Sequence, residues 1–150
     1  MPLNDAVSQE TIDGMIPAYL DSFRTPDGEL YGIGPEFAGI GGLYYRTDLL
    51  EEYGIDAPQT YDDIISTCDT ILADNPDLTC WGWPGQRDTQ LYYRFAEVLH
   101  GFGGQYFDDA GDCAMNSDEG VAALQFMVDL LENDYSPADV LSWAEADAHA

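Results

Sequence analysis

There is no lysine anywhere in this chain. Its 150 residues hold four arginines (Arg24, Arg46, Arg87 and Arg94) against 29 carboxylates, for a formal net charge of −25. With no basic stripe to neutralise phosphates, nucleic-acid binding is excluded as a function class. Histidine is almost missing too. Only His100 and His149 occur, which leaves a metal triad or a histidine-based catalytic pair little to draw on, and no metal is expected. The three cysteines, Cys68, Cys80 and Cys113, form no CxxC pair, which argues against zinc. GxSxG, HExxH and Walker sequences are lacking, so no catalytic residue and no cofactor is assigned. No apolar run is long enough to span a bilayer as a helix. The opening MPLNDAVSQE has neither a positive region nor an apolar stretch, so no export signal is read in these residues.

What remains is apolar and folded. Hydrophobic residues make up 45% and aromatics 13%, too much for a disordered acidic tail. The length suits one domain with a single core, so the charge belongs to its surface. That surface repels itself at low salt and becomes tolerable when the Debye length shrinks to about 3 Å at 1 M. We read it as the surface of a halophilic protein.

Apolar spacing predicts a helical stretch after Ser8 that Pro17 divides in two. TPDGE is a turn, and residues 30–33 read as a short strand. Residues 35–42 have neither helical nor strand period. Residues 43–46 read as a strand, and Thr47 starts a helix that Gly54 ends. Thr60 caps the next helix with Asp63 in a capping-box position. Its apolar face includes Ile64, Ile65, Cys68, Ile71 and Leu72, and Asn75-Pro76 stops it. Residues 79–83 read as a strand, and residues 88–100 as a helix with Leu91, Phe95 and Leu99 inside. His100 suits that helix's C-terminal dipole. DDAGD is a hairpin turn and not a calcium loop, because the alternating acids and distant glutamate are missing. Ser117 caps a long helix with Val121, Leu124, Val128 and Leu131 expected inside. Cys68 is expected in the core, while Cys80 and Cys113 are a candidate pair in an oxidising compartment. Strands alternating with helices predict an α/β protein with a mixed sheet and flanking helices.

One segment concentrates recognition chemistry. WGWPGQRDTQLYYRF, residues 81–95, sets two indoles, two glutamines, two arginines and two tyrosines around a strand-to-helix connection. Flat rings suit the apolar face of a sugar ring, and Gln or Arg donors suit its hydroxyls. Trp83, Gln86, Arg87, Gln90, Tyr92 and Tyr93 are the candidate ligand-binding residues. The rival reading is structural: Trp81 and Trp83 as ordinary strand residues, with Tyr92 and Phe95 in the core.

Four stretches together resemble the extracellular solute-binding proteins of ABC importers, the group that includes sugar binders. They are DGELYGIGP, GGLYYRTDLLEEYGIDAPQTYDDI, GQRDTQLYYRFAEVLHGFGGQYFDDAG and NSDEGVAALQFMVDLLENDYSP. Each is loose alone, but their order and spacing agree. The resemblance implies a two-lobe, periplasmic-binding-protein-like fold of type II. Residues 1–36 would be the tail of lobe one, 37–42 a hinge crossover, and 43–150 part of lobe two. It implies hinge roles for Pro35, Gly41 and Gly42 and ligand contacts near Phe37 and Gly39. It implies an extracellular protein, membrane-anchored in the full-length family member, that hands a solute, a carbohydrate by preference, to permease subunits without catalysis. A polyamine or phosphate ester is the alternative ligand, and a small acidic glycoside hydrolase the rival activity. Family members are much longer, so the resemblance implies a fragment with weak or no solute binding alone.

Overall fold

The computed structural model describes residues 1–34, 42–144 and 146–149. The chain forms two compact units, Met1–Ile40 and Gly41–Ala150.

In the first unit, Ser8 caps α1 (Gln9–Asp13) by accepting from the Thr11 amide, and Pro17 opens α2 (Pro17–Asp21) at its first position. Proline is tolerated there because the first-turn N–H has no helical partner to lose. The TPDGE turn closes through Gly28 N–H on the Thr25 carbonyl at 2.8 Å, with Gly28 at φ 87°. Tyr31 N–H then bonds the Phe23 carbonyl at 3.0 Å. Leu20 and Leu30 are the buried hydrophobic residues among those described in this unit.

The second unit is built from α3 (Thr47–Tyr53), α4 (Tyr61–Asp74), α5 (Thr89–Gly101) and α6 (Asp118–Glu132). Gly54 ends α3 in the left-handed region at φ 64°, a conformation that suits glycine. At the start of α4 the capping box is complete. Thr60 Oγ1 accepts from the Asp63 amide at 3.1 Å, and Asp63 accepts from the Gln59 and Thr60 amides at 3.0 and 2.9 Å. Those bonds, the Gln59 amide first, hold the Asp63 carboxyl below the usual carboxylate range. The cap's contribution is therefore complete above the ordinary carboxylate pKa and is lost as pH falls through the lowered one. Titrating helix content in Asp63→Asn should remove this acid-side step, while Thr60→Ala should cost about 1 kcal/mol at neutral pH.

The core gathers between α5 and α6, around Trp83, Val98, Leu99, Ala123, Met127 and Val140. Tyr61, Trp81, Phe102 and Phe126 form an aromatic box against it. Tyr61 stacks on Trp81 at 5.8 Å and on Phe102 at 5.6 Å, and Phe126 tilts against Tyr61 at 5.0 Å.

Three expectations need correction. First, among the described residues the stretches 30–33, 43–46 and 79–83 make no strand ladder. Pairing is limited to the bridges Arg24↔Leu30 and Phe107↔Cys113. An extended segment becomes a strand only where a neighbour takes its hydrogen bonds. Second, α6 buries Gly120, Ala123, Met127 and Leu130. Of the expected set, Val121 and Leu124 are 56% and 55% exposed and Val128 is exposed as well. Both stripes have the same spacing and lie one residue, about 100°, apart. The small residues decide between them, since a Cβ at Gly120 would collide with the Met115 carbonyl. Third, Cys80 pairs with Cys68 and leaves Cys113 free and exposed.

The DDAGD hairpin does form. Phe107 and Cys113 bridge, Asp108 N–H meets the Asp112 carbonyl at 2.9 Å, and Gly111 takes φ 85°.

Candidate functional site

Residues 81–86 run extended beside residues 135–143. Trp81, Gly85 and Gln86 amides each donate at 3.0 Å, to the carbonyls of Tyr135, Val140 and Trp143. Gly85 is required by this approach, because a Cβ there would meet the Val140 oxygen at 2.7 Å and the Trp83 ring at 2.8 Å. The segment thus fixes where α5 begins. Asp88 caps that helix by accepting from the Gln90 amide at 2.7 Å.

The sequence-derived candidates divide here. Trp83 is 5% exposed and sits in the core. Its indole N–H donates to Ser136 Oγ at 3.1 Å, and that hydroxyl donates onward to the Trp81 carbonyl at 2.6 Å. Gln86 and Arg87 are exposed on the connection, and Gln90 is half-buried in the first turn of α5. Tyr92 and Tyr93 are 53% and 36% exposed, with ring centroids 5.5 Å apart at 60°. Phe95, which the structural reading placed inside, does pack against the core. Pro35, Phe37, Gly39 and Gly41 lie outside the described residues. Gly42 is exposed, with open space where a side chain would begin.

The tyrosines are set outward because α5 spends its other face on the core. Val98 and Leu99 are buried, and Leu91 and Phe95 pack beside them. Arg94, three residues before Glu97, pairs with it at 2.8 Å along the helix flank. Sequence reasoning passed over Tyr106, whose ring stacks on Tyr92 at 5.6 Å and 21°. Nothing in local periodicity signals this contact, because Tyr106 arrives from the turn after α5. The result is a partly exposed group of aromatic rings on α5, with Gln86 and Arg87 exposed on the connection that leads into that helix. Such a surface can stack on a flat apolar face and donate hydrogen bonds at its edge. Among the described residues, no group of three or more His, Cys, Asp or Glu is placed to hold a metal ion.

A separate concavity of about 410 Å³ lies between α4 and α6, lined by Asp62, Asp69, Phe126, Asp129 and Tyr135 among others. It holds none of the expected site residues. Tyr135 O–H spans it to Asp69 Oδ1 at 2.6 Å. Among the described residues, no helix is long and apolar enough to cross a membrane.

Comparison with known proteins places this architecture. A protein of Deinococcus radiodurans named "Probable ABC transporter-binding protein" is 30% identical over 154 residues, covering 99% of this chain and 36% of that protein. The arabinooligosaccharide-binding protein of Halalkalibacterium halodurans is 26% identical over 133 residues, covering 87% of the chain and 28% of the relative. Among solved structures, maltose-bound T. maritima MalE3 superposes with a TM-score of 0.76 at 29% identity, covering 98% of this chain and 37% of that one. The chain spans roughly a third of the length of the proteins it matches. The family model for bacterial extracellular solute-binding proteins matches residues 1–150. The chain belongs to the bacterial extracellular solute-binding protein family.

Proposed function

We propose that this chain carries part of the ligand-gripping surface of an ABC importer's solute-binding component, and that the solute is a carbohydrate. The observation that carries the reading is the outward-facing Tyr92–Tyr93 pair, fixed on a helix whose opposite face is core. Tyrosine rings supply the apolar face a sugar needs, and Gln86 and Arg87 supply donors for its hydroxyls. The maltose and arabinooligosaccharide named for two relatives support that ligand class. Trp83 acts from beneath, by fixing the connection that positions α5, and not by touching solute.

In the whole protein, residues 1–36 end lobe one, 37–42 form the crossover with Pro35, Gly41 and Gly42 as hinge positions, and 43–150 belong to lobe two. The mixed sheet is a property of the completed lobes. The family resemblance assigns solute contacts near Phe37 and Gly39, which lie outside the described residues, and in the whole protein closure is driven by the contacts the ligand makes with both lobes. The protein works outside the cell, anchored to the membrane, and delivers its solute to the permease subunits without chemical conversion.

One wall of a cleft should bind weakly, with a dissociation constant on the order of 1 mM, or about −4 kcal/mol. Saturation-transfer NMR in concentrated KCl would read this, with maltose and arabinobiose set against spermidine and glycerol phosphate. Transfer to sugar ring protons is expected, falling in Tyr93→Ala. Transfer to spermidine or glycerol phosphate alone would overturn the carbohydrate assignment. Release of nitrophenol from chromogenic glycosides would overturn the binding reading altogether.

A further inference from the structure

The concavity between α4 and α6 is lined by two helix stripes of the same spacing. Residues 62, 65, 66 and 69 of α4 face residues 126, 129, 130 and 133 of α6 across about 410 Å³. Positions three, four and seven apart share one side of a helix, so each helix gives one continuous wall. The volume falls in the range of sites that enclose small groups. Ile65 and Phe126 are half-buried and Leu130 is buried, which makes the floor apolar. Phe126 is braced by the rings of Tyr61, Trp81 and Phe102. Tyr135 spans the groove to Asp69, and its carbonyl accepts the Trp81 amide at 3.0 Å. The Cys68–Cys80 bond ties α4 to the same segment. The groove is therefore held in shape by covalent and hydrogen bonds.

Its rim carries charge of one sign. Asp62 and Asp69 stand exposed on α4 and Asp129 on α6, and no arginine lines the groove. The ion pairs of the described residues lie elsewhere, Arg24 with Asp21, Arg46 with Asp48 and Arg94 with Glu97. A chain of net charge −25 is acidic over much of its surface, so acidity alone singles out no patch. Salt makes the distinction. At 1 M, charge is screened beyond about 3 Å, and only a cation brought into direct contact is held. The groove offers that contact together with an apolar floor, whose attraction needs no unscreened charge.

We propose that the α4–α6 groove is a docking surface for a partner protein, which inserts an arginine flanked by apolar residues. A guanidinium is planar, forks onto carboxylates and lies against an aromatic ring. It can therefore use Asp62, Asp129 and Phe126 together, which a point charge such as lysine does less well. A groove already held in shape leaves little ordering cost on the side of this chain. None of the candidate solute contacts lies in it, so partner and solute do not compete. The proposal does not depend on the carbohydrate reading.

The probes are three blocked tripeptides, leucine–X–leucine with X arginine, lysine or uncharged citrulline, and arginine amide alone. Each is titrated into the isotope-labelled chain in concentrated KCl, and backbone amide shifts are read by NMR. The arginine peptide should shift amides of residues 62–69 and 126–135 and leave those of 89–93 in place. It should bind about tenfold more tightly than the citrulline peptide and about threefold more tightly than the lysine peptide. Asp62→Asn combined with Asp129→Asn should weaken it about fivefold, the scale of two screened contact pairs. Glu51→Gln combined with Glu52→Gln, exposed on α3, changes net charge equally and should stay within about twofold of wild type. The citrulline comparison uses the wild-type chain, so it decides the matter even where a variant misfolds. Absence of shifts in the two stripes, equal binding of the citrulline peptide, or equal weakening by both double variants overturns the docking surface. Arginine amide binding as tightly as the arginine peptide overturns it as well, because the groove then takes a small cationic solute and not a partner segment.

Discussion

Replacing Trp83 by alanine should lower the stability of the second unit by about 3–5 kcal/mol, the range for deleting a buried large aromatic side chain. The indole fills the core against Gly85 and Val140, and its removal leaves a cavity the surrounding backbone is too constrained to close. Gly85 is already within hydrogen-bond distance of Val140. A second loss comes from Ser136, which is 1% exposed and accepts the indole N–H. Trp83→Phe isolates that part and should cost about 1–3 kcal/mol, because it keeps a ring but leaves a buried acceptor less satisfied. Urea unfolding followed by tryptophan fluorescence suits the measurement. All three tryptophans, Trp81, Trp83 and Trp143, lie in the second unit, so the signal reports it alone. Tyr92→Ala, at a half-exposed position that loses its stack on Tyr106, should cost no more than about 1.5 kcal/mol. The Trp83 and Tyr92 variants thus separate core support from the exposed ring. Should Trp83→Ala keep full stability and lose only sugar binding, the indole touches solute and its placement in the core is wrong.

The division between buried and exposed aromatics was only half legible in the sequence. Local rules carried the helix ends. Ser8, Thr60 and Ser117 each cap where their side chains suggested, and Pro17 and Gly54 punctuate as their backbone preferences require. These features depend on a few neighbouring residues. Packing choices do not. In α6 the stripes 120/123/127/130 and 121/124/128/131 are equally helical, and the choice went to the one whose glycine and alanine allow close approach. Period alone weighs hydrophobicity, so it preferred the valines and leucines.

The candidate site shows the same limit. Tyr92 and Tyr93 stand out in the sequence because they sit side by side near the start of one helix, and the structure leaves both partly exposed. Trp83 was readable as an aromatic but not as buried, since its burial depends on Ser136 and Val140, more than fifty residues away. Tyr106 could not be placed at all without the turn at Gly103 that lays it on α5. The expected strands failed for a related reason. A run such as residues 43–46 has the composition of a strand, but its ladder depends on a neighbour that composition does not name.

Reduction of the Cys68–Cys80 disulfide should destabilise the second unit by about 3 kcal/mol, the chain-entropy estimate for a loop of this size. The two cysteines are 12 residues apart with Cα atoms 5.4 Å from each other. Between them lie the end of α4 and the turn at Asn75. Cys68 is buried on α4, and Cys80 opens the extended segment that carries Trp81, Trp83 and Gly85 toward α5. The bond therefore ties α4 to the segment that sets where α5 starts. Other contacts already hold the enclosed turn. Asn75 Nδ2 donates to the Ile71 carbonyl at 3.0 Å and to the Tyr53 hydroxyl at 2.8 Å. Those bonds favour a loss at or below the loop-entropy figure over complete unfolding. A disulfide also fits the oxidising compartment in which an extracellular family works. Cys113, exposed on the hairpin, takes no part, so Cys113→Ser should leave both the wild-type stability and the drop on reduction unchanged. Cys68→Ser with Cys80→Ser should reproduce the reduced state and remove any further response to reductant. If Cys113→Ser instead abolished the response, Cys80 would be pairing with the hairpin, and the link between α4 and the start of α5 would have to come from packing alone.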